Sequence, residues 1–96
     1  MASSEHYFYV LLCADDSFYA GYTTDTLRRE REHNKGIGSK YTKARRPVRM
    51  IYKEVFGSRT EATKAEAAFK KLSRKQKENF LKGRAIGVCS SESNGV

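Results

Sequence analysis

His6-Tyr7-Phe8-Tyr9-Val10-Leu11-Leu12-Cys13, then Ala14-Asp15-Asp16-Ser17, then Phe18-Tyr19-Ala20-Gly21-Tyr22-Thr23, is the stretch that decides the fold. Its first part reads as a strand apolar on both faces, with Tyr7, Tyr9, Leu11 and Cys13 on one side and Phe8, Val10 and Leu12 on the other. A strand of that kind belongs in the middle of a sheet. The next four residues are turn formers, and a second strand follows, which predicts a hairpin. An odd-length loop makes residues of equal parity share a face, so Tyr9 and Tyr19 converge only if the turn counts an odd number of residues.

Downstream, the spacing predicts a helix from about Asp25 to Asn34, with Thr24 or Asp25 at its start and Gly36 past its end. Leu27 is its one apolar residue. Such a helix either packs through a narrow seam or presents its polar side to something. Residues 36–47, with two glycines and a closing proline, read as a loop. Val48 to Phe56 alternates as a third strand, with Val48, Met50, Tyr52 and Phe56 on one face and Arg49 and Lys53 on the other. Ser58-Arg59-Thr60-Glu61 has the form of a capping box before a helix carrying Ala62, Ala65, Phe69 and Leu72 on one face. Ser73 opens a last short helix ending near Lys82 and Gly83. The order is β-β-α-β-α-α, an α+β domain with a three-stranded antiparallel sheet flanked by helices. Residues 6–83 form that domain, with 1–5 expected to be a flexible N-terminus and 84–96, rich in Gly, Ser and Asn, a disordered tail.

Composition narrows the function. Ninety-six residues leave room for one core. The longest apolar run is eight residues, against the roughly 20 needed to cross a bilayer, and no secretory signal is visible, so a cytoplasmic address is expected. Cys13 and Cys89 have no metal-ligand spacing and read as free thiols. The charge of +8 is uneven: residues 1–27 sum to −4, 28–53 to +8 and 54–96 to +4. Concentration in the middle segment points to a polyanionic partner, nucleic acid before membrane. Lys35, Lys40, Lys43, Arg45 and Arg46 fall in or beside the predicted loop, and Tyr41 among them is either a stacking platform for a base or an anchor packing back on the core.

Three features exceed a purely structural reading. Glu66 lies on the apolar face of its helix, either at the edge of the stripe beside a Lys or Arg, or turned inward as ligand for a hard cation. Arg29 and His33, at i and i+4, share one helix face, either solvated or facing a phosphate. Four tyrosines, Tyr7, Tyr9, Tyr19 and Tyr22, crowd sixteen residues, as packing or as chemistry.

Tyr7-Phe8-Tyr9, Tyr19-Ala20-Gly21 ten positions later, Arg29 and His33 on a helix and Glu66 on a later one resemble the GIY-YIG nuclease superfamily. The stretch Gly38-Ser39-Lys40-Tyr41-Thr42-Lys43-Ala44-Arg45-Arg46-Pro47 is similar to its small stand-alone bacterial members. Tyr7, Phe8 and Ala20 depart from the residues that give the family its label, at backbone and packing positions. The resemblance implies a metal-dependent endonuclease acting on DNA rather than RNA, using one Mg²⁺ or Mn²⁺ and plausible on branched or damaged structures in repair or recombination. It implies Tyr9 as general base, Tyr19 as its assistant, Gly21 as a structural member of the second motif, Arg29 as the phosphate clamp, His33 as proton relay or water orienter, and Glu66 as metal ligand and catalytic residue. Selectivity would come from substrate shape or a partner protein. The competing reading is a non-catalytic nucleic-acid-binding module on the same fold.

Overall fold

The computed structural model describes residues 5–82. Residues 1–4 of the expected N-terminus 1–5, Gly83 and the whole expected tail 84–96 with Cys89 lie outside them. The elements are β1 (His6–Leu12), β2 (Phe18–Thr23), α1 (Thr26–Asn34), α2 (Lys40–Lys43), β3 (Arg49–Phe56), α3 (Arg59–Lys70) and α4 (Arg74–Leu81). The strands form one antiparallel sheet in the order β2-β1-β3, so the doubly apolar segment is the central strand. The α+β architecture therefore matches the expectation, with one addition: a helical turn, α2, sits inside the segment read as a loop. Ser39 caps it by accepting from the Thr42 N–H, a signal that the two glycines and the proline around it obscure.

The hairpin satisfies the parity condition. Cys13 N donates to Ser17 O and Asp16 N to Cys13 O, which closes a three-residue loop, 14–16, with Asp16 in the left-handed region at φ 67°. Tyr9 pairs with Gly21 and Leu11 with Tyr19, so both motif tyrosines share a face. The third strand departs from simple alternation. A bulge against β1 pairs Val10 with Tyr52 but Leu11 with Met50, leaving Ile51 as the extra residue. Val48 and Met50 therefore join Tyr9, Leu11 and Cys13, while Tyr52 and Phe56 join Phe8 and Val10 on the opposite face, a split that strict period two cannot show.

The two faces are held differently. On one, α3 and α4 bury Phe69 and Leu81 against Phe8, Val10, Ala20, Ile51 and Tyr52, with Phe80, Leu72 and Ala65 closing the rim. Phe8 is its centre, meeting the rings of Tyr52, Phe69 and Phe80 at centroid distances of 5.7, 5.7 and 6.4 Å. On the other, α1 is attached by polar groups. Leu27, its one apolar side chain, is 61% exposed. The buried residues of α1 are Thr26 and His33. Asn34 clasps the Val48 peptide, donating to its carbonyl at 2.9 Å and accepting from its N–H at 2.7 Å, and Glu30 accepts from the Met50 N–H at 3.0 Å. Of the two packing alternatives for α1, the polar one holds.

Because one aromatic cluster carries the α3/α4 layer, Phe8→Ala should destabilise the domain by about 3–5 kcal/mol. Urea or guanidinium denaturation followed by circular dichroism reads this directly.

Candidate active site

Tyr9 and His33 are both buried, and they meet: Tyr9 Oη lies 2.9 Å from His33 Nε2. The other ring nitrogen, Nδ1, lies 2.7 Å from Thr42 Oγ1, and Thr42 is buried too. Tyr19 adds an edge-on ring contact to His33 with centroids 5.1 Å apart. Two glycines make this possible. A Cβ on Gly21 would overlap the Tyr9 phenol, and one on Gly38 would overlap the His33 ring. Gly21 is thus the opening across which Tyr9 lies. Gly38, read only as a loop marker, has the same function for His33.

Arg29 stands one turn before His33. Its Nη1 donates to Glu32 Oε1 at 2.8 Å and its Nη2 to the Gly38 carbonyl at 3.1 Å, an arrangement that fixes the guanidinium between α1 and the residues before α2. Burial pushes the Tyr9 phenol up to about 12; the neighbouring Arg29 guanidinium pulls against this, while Tyr19 and the Glu66 carboxylate add to it. Arg29 alone therefore does not make Tyr9 acidic at neutral pH. Burial first, and then the Arg29 charge, pull His33 down to about 4, so its ring is neutral at physiological pH.

Glu66 comes from α3, which covers the opposite face of the sheet, yet its charge is felt at Tyr9. Its side chain is 20% exposed, and Lys70 Nζ pairs with Oε2 at 2.8 Å. Among the described residues no three His, Cys, Asp or Glu side chains cluster as a ready-made metal cage. A single carboxylate fits a hard cation that takes its remaining oxygens from water and a substrate phosphate.

The basic residues separate into two groups. Lys35, at the end of α1, and Lys40 and Lys43 of α2 are exposed. Arg45 and Arg46 are tied into the structure. Arg45 Nε donates to Asp15 Oδ2 at 3.1 Å, its Nη1 to the Tyr41 carbonyl, and its guanidinium lies 3.9 Å from the Tyr41 ring centroid. Arg46 donates to the carbonyls of Lys43 and Asn34. Tyr41 is stacked on Tyr19 at 5.8 Å, which is the anchoring alternative for that ring. Ser39, Thr42 and Gly38 are the members of the site that sequence reading missed. The one signal available was the Ser39-x-x-Thr42 spacing within an otherwise basic stretch.

A family model, GIY-YIG catalytic domain, matches residues 5–79. The chain belongs to the GIY-YIG family. The family is a nuclease superfamily. A UPF0213 protein of Listeria monocytogenes is 68% identical over 79 residues, covering 82% of this chain and 88% of that protein. One from Bacillus subtilis is 52% identical over 81 residues, covering 84% and 82%. Two solution NMR structures share the fold. Protein EF2693 of Enterococcus faecalis is 63% identical with a TM-score of 0.58, over 84% of this chain and 86% of that one. UPF0213 protein BH0048 of Bacillus halodurans is 45% identical with a TM-score of 0.55, over 81% and 83%.

The depressed His33 value has a thermodynamic consequence with a definite sign. Between the unfolded value near 6.5 and the folded value near 4, the unfolded chain binds the extra proton, so stability is unaffected above pH 6.5 and falls as the pH drops through this window. The loss should approach about 3 kcal/mol by pH 4 from this group. Denaturation curves at pH 7.5, 6 and 4.5 measure it, and the His33 ring proton signals should stay flat from pH 8 to 5.5. Gly38→Ala should destabilise the fold by about 1–3 kcal/mol and displace those same signals.

Proposed function

We propose that this GIY-YIG domain is a metal-dependent endonuclease that hydrolyses phosphodiester bonds in DNA, with a preference set by substrate structure or by a partner protein, in a cytoplasmic setting and in the service of repair or recombination. The observation that carries the reading is the Tyr9–His33 hydrogen bond with Arg29 beside it, at the edge of the basic segment. A buried, hydrogen-bonded phenol next to a fixed guanidinium is an arrangement for moving a proton beside a phosphate, and a binding surface has no need of it.

In this mechanism a water attacks the phosphorus and gives its proton to the Tyr9 oxygen as the bond to the leaving oxygen breaks. Tyr9 must arrive as phenolate, and the neutral His33 ring is placed to take its proton. Arg29 donates to the non-bridging phosphate oxygens and stabilises the charge growing on them, held ready by Glu32 and the Gly38 carbonyl. Tyr19 steadies His33 through its edge-on ring contact. Glu66 would hold one Mg²⁺ or Mn²⁺ through its carboxylate. That cation supplies positive charge for the phosphate and the leaving oxygen. Lys35, Lys40 and Lys43 track the nucleic-acid backbone, while Arg45, Arg46 and Tyr41 shape the segment that carries them.

One observation favours the second reading, a non-catalytic nucleic-acid-binding module: the Lys70 ammonium already neutralises Glu66 without a metal. The two readings part on cleavage. Labelled plain, nicked, flapped, branched and single-stranded DNA and RNA, incubated with Mg²⁺, Mn²⁺ or EDTA, should show metal-dependent cutting of DNA. Glu66→Ala and Arg29→Ala should each lower the rate at least about 100-fold while gel-shift binding survives. Binding without cutting under every condition, or undiminished cutting by Glu66→Ala, selects the binding module.

A further inference from the structure

The Tyr9–His33 pair does not end at His33. Nδ1 meets Thr42 Oγ1 at 2.7 Å, and Thr42 Oγ1 meets Ser39 Oγ at 3.0 Å. Tyr9, His33 and Thr42 are each 1% exposed or less, whereas Ser39 is half-buried, so this run of groups connects a nearly enclosed phenol to the protein surface. The hydroxyl of Thr42 is not required for the helix: α2 is capped by Ser39, whose oxygen accepts from the Thr42 backbone N–H at 3.2 Å. That bond uses an acceptor site of Ser39 Oγ and leaves its proton available to donate.

Every member can be satisfied in two directions. In one, Tyr9 donates to Nε2, the Nδ1–H donates to Thr42, and Thr42 donates to Ser39. In the other, Ser39 donates to Thr42, Thr42 to Nδ1, and the Nε2–H to Tyr9. Hydroxyls and a neutral imidazole are the side chains that both give and accept, which is what such reversal requires.

Building on the nuclease reading, we propose that Thr42 and Ser39 are positioning residues that extend the Tyr9–His33 pair into a buried proton relay, through which the phenol proton reaches solvent. As the Tyr9 O–H bond breaks, Nε2–H forms. Nδ1–H then breaks as a new Thr42 O–H forms, the original Thr42 proton passes to Ser39, and the Ser39 proton passes to water. His33, Thr42 and Ser39 end neutral, Tyr9 ends as phenolate, and one proton has left. Charges facing the phenol come from Arg29 on α1 and Glu66 on α3, with Tyr19 from β2 beside them. Only the first of these favours the phenolate.

The test compares wild type, Thr42→Val and Thr42→Ser. Nitrogen NMR of the His33 ring reads its protonation without any assay of cleavage. Single-turnover cutting of the best DNA from the panel, at varied DNA concentration, reads the chemical step. Thr42→Val should move the Nδ1 signal and lower the maximal rate about 10- to 100-fold, with half-saturation within about twofold of wild type, and Thr42→Ser should restore both. A maximal rate in Thr42→Val within about twofold of wild type overturns the relay, whatever its stability. So does a doubly protonated His33 at pH 7, which has no nitrogen left to accept. If Thr42→Val does not fold, Ser39→Ala removes the outer member and should lower the maximal rate in the same way. If the wild type cuts no DNA at all, the nuclease reading fails. The His33 signals then decide the hydrogen-bonded chain separately, and an Nδ1 signal indifferent to Thr42→Val overturns it.

Discussion

One hydrogen bond, from the central strand to the first helix, fixes the geometry of this molecule's polar half. Tyr9 projects from β1 and His33 from α1, 24 residues apart in the chain, and their 2.9 Å contact is sealed from water. Much of the nearby structure follows from making that contact possible. The hairpin needs an odd loop to bring Tyr19 to the same face, Gly21 must lack a side chain so the phenol can lie across it, and Gly38 must lack one so the imidazole can sit beside it. A buried polar pair is costly unless each member is satisfied. Here the remaining imidazole nitrogen finds Thr42, whose hydroxyl the short helix α2 carries.

The two faces of the sheet therefore obey different physics. Facing α3 and α4, aromatic rings interlock and the driving force is removal of apolar surface from water. Facing α1 and α2, directional groups dominate: the Asn34 clasp on Val48, Glu30 on the Met50 amide, Arg29 on the Gly38 carbonyl. Hydrogen bonds contribute modestly to stability but specify orientation closely. A face built this way sacrifices burial in exchange for fixed positions of a guanidinium, an imidazole and a phenol, which is the division expected where stability comes from one layer and chemistry from the other.

What was legible in the sequence follows the same division. The doubly apolar run Tyr7 to Cys13 announced a central strand, and the Ala62, Ala65, Phe69 and Leu72 stripe announced the helix that covers it, because apolar periodicity reports burial. The polar face has no such periodicity. Leu27 suggested a seam that the helix does not use, since Asn34 and Glu30 hold it instead. The bulge at Val10/Leu11 shifts Tyr52 off the face of Val48 and Met50, and no count of alternating residues contains it. Thr42 was unreadable for a related reason: a threonine among lysines and arginines looks like surface, and only the fold reveals that it is the most enclosed residue of its helix. The resemblance to a known family, in contrast, drew on chemistry rather than periodicity, and so recovered Tyr9, Tyr19, Arg29 and His33 as neighbours.

The electrostatics of the site hold its two buried proton-carrying groups away from charge. Burial drives the Tyr9 phenol up to about 12 and the His33 imidazole down to about 4, so each resists the charge that base catalysis would give it. Arg29 opposes the first shift and reinforces the second, and its own charge is partly spent on Glu32. Glu66 disfavours the phenolate, and Lys70 holds that carboxylate in check. A site so balanced keeps both of its proton-carrying groups neutral in the free protein. Any positive charge drawn to Glu66, and any phosphate that claims the Arg29 donors, alters that balance at the phenol.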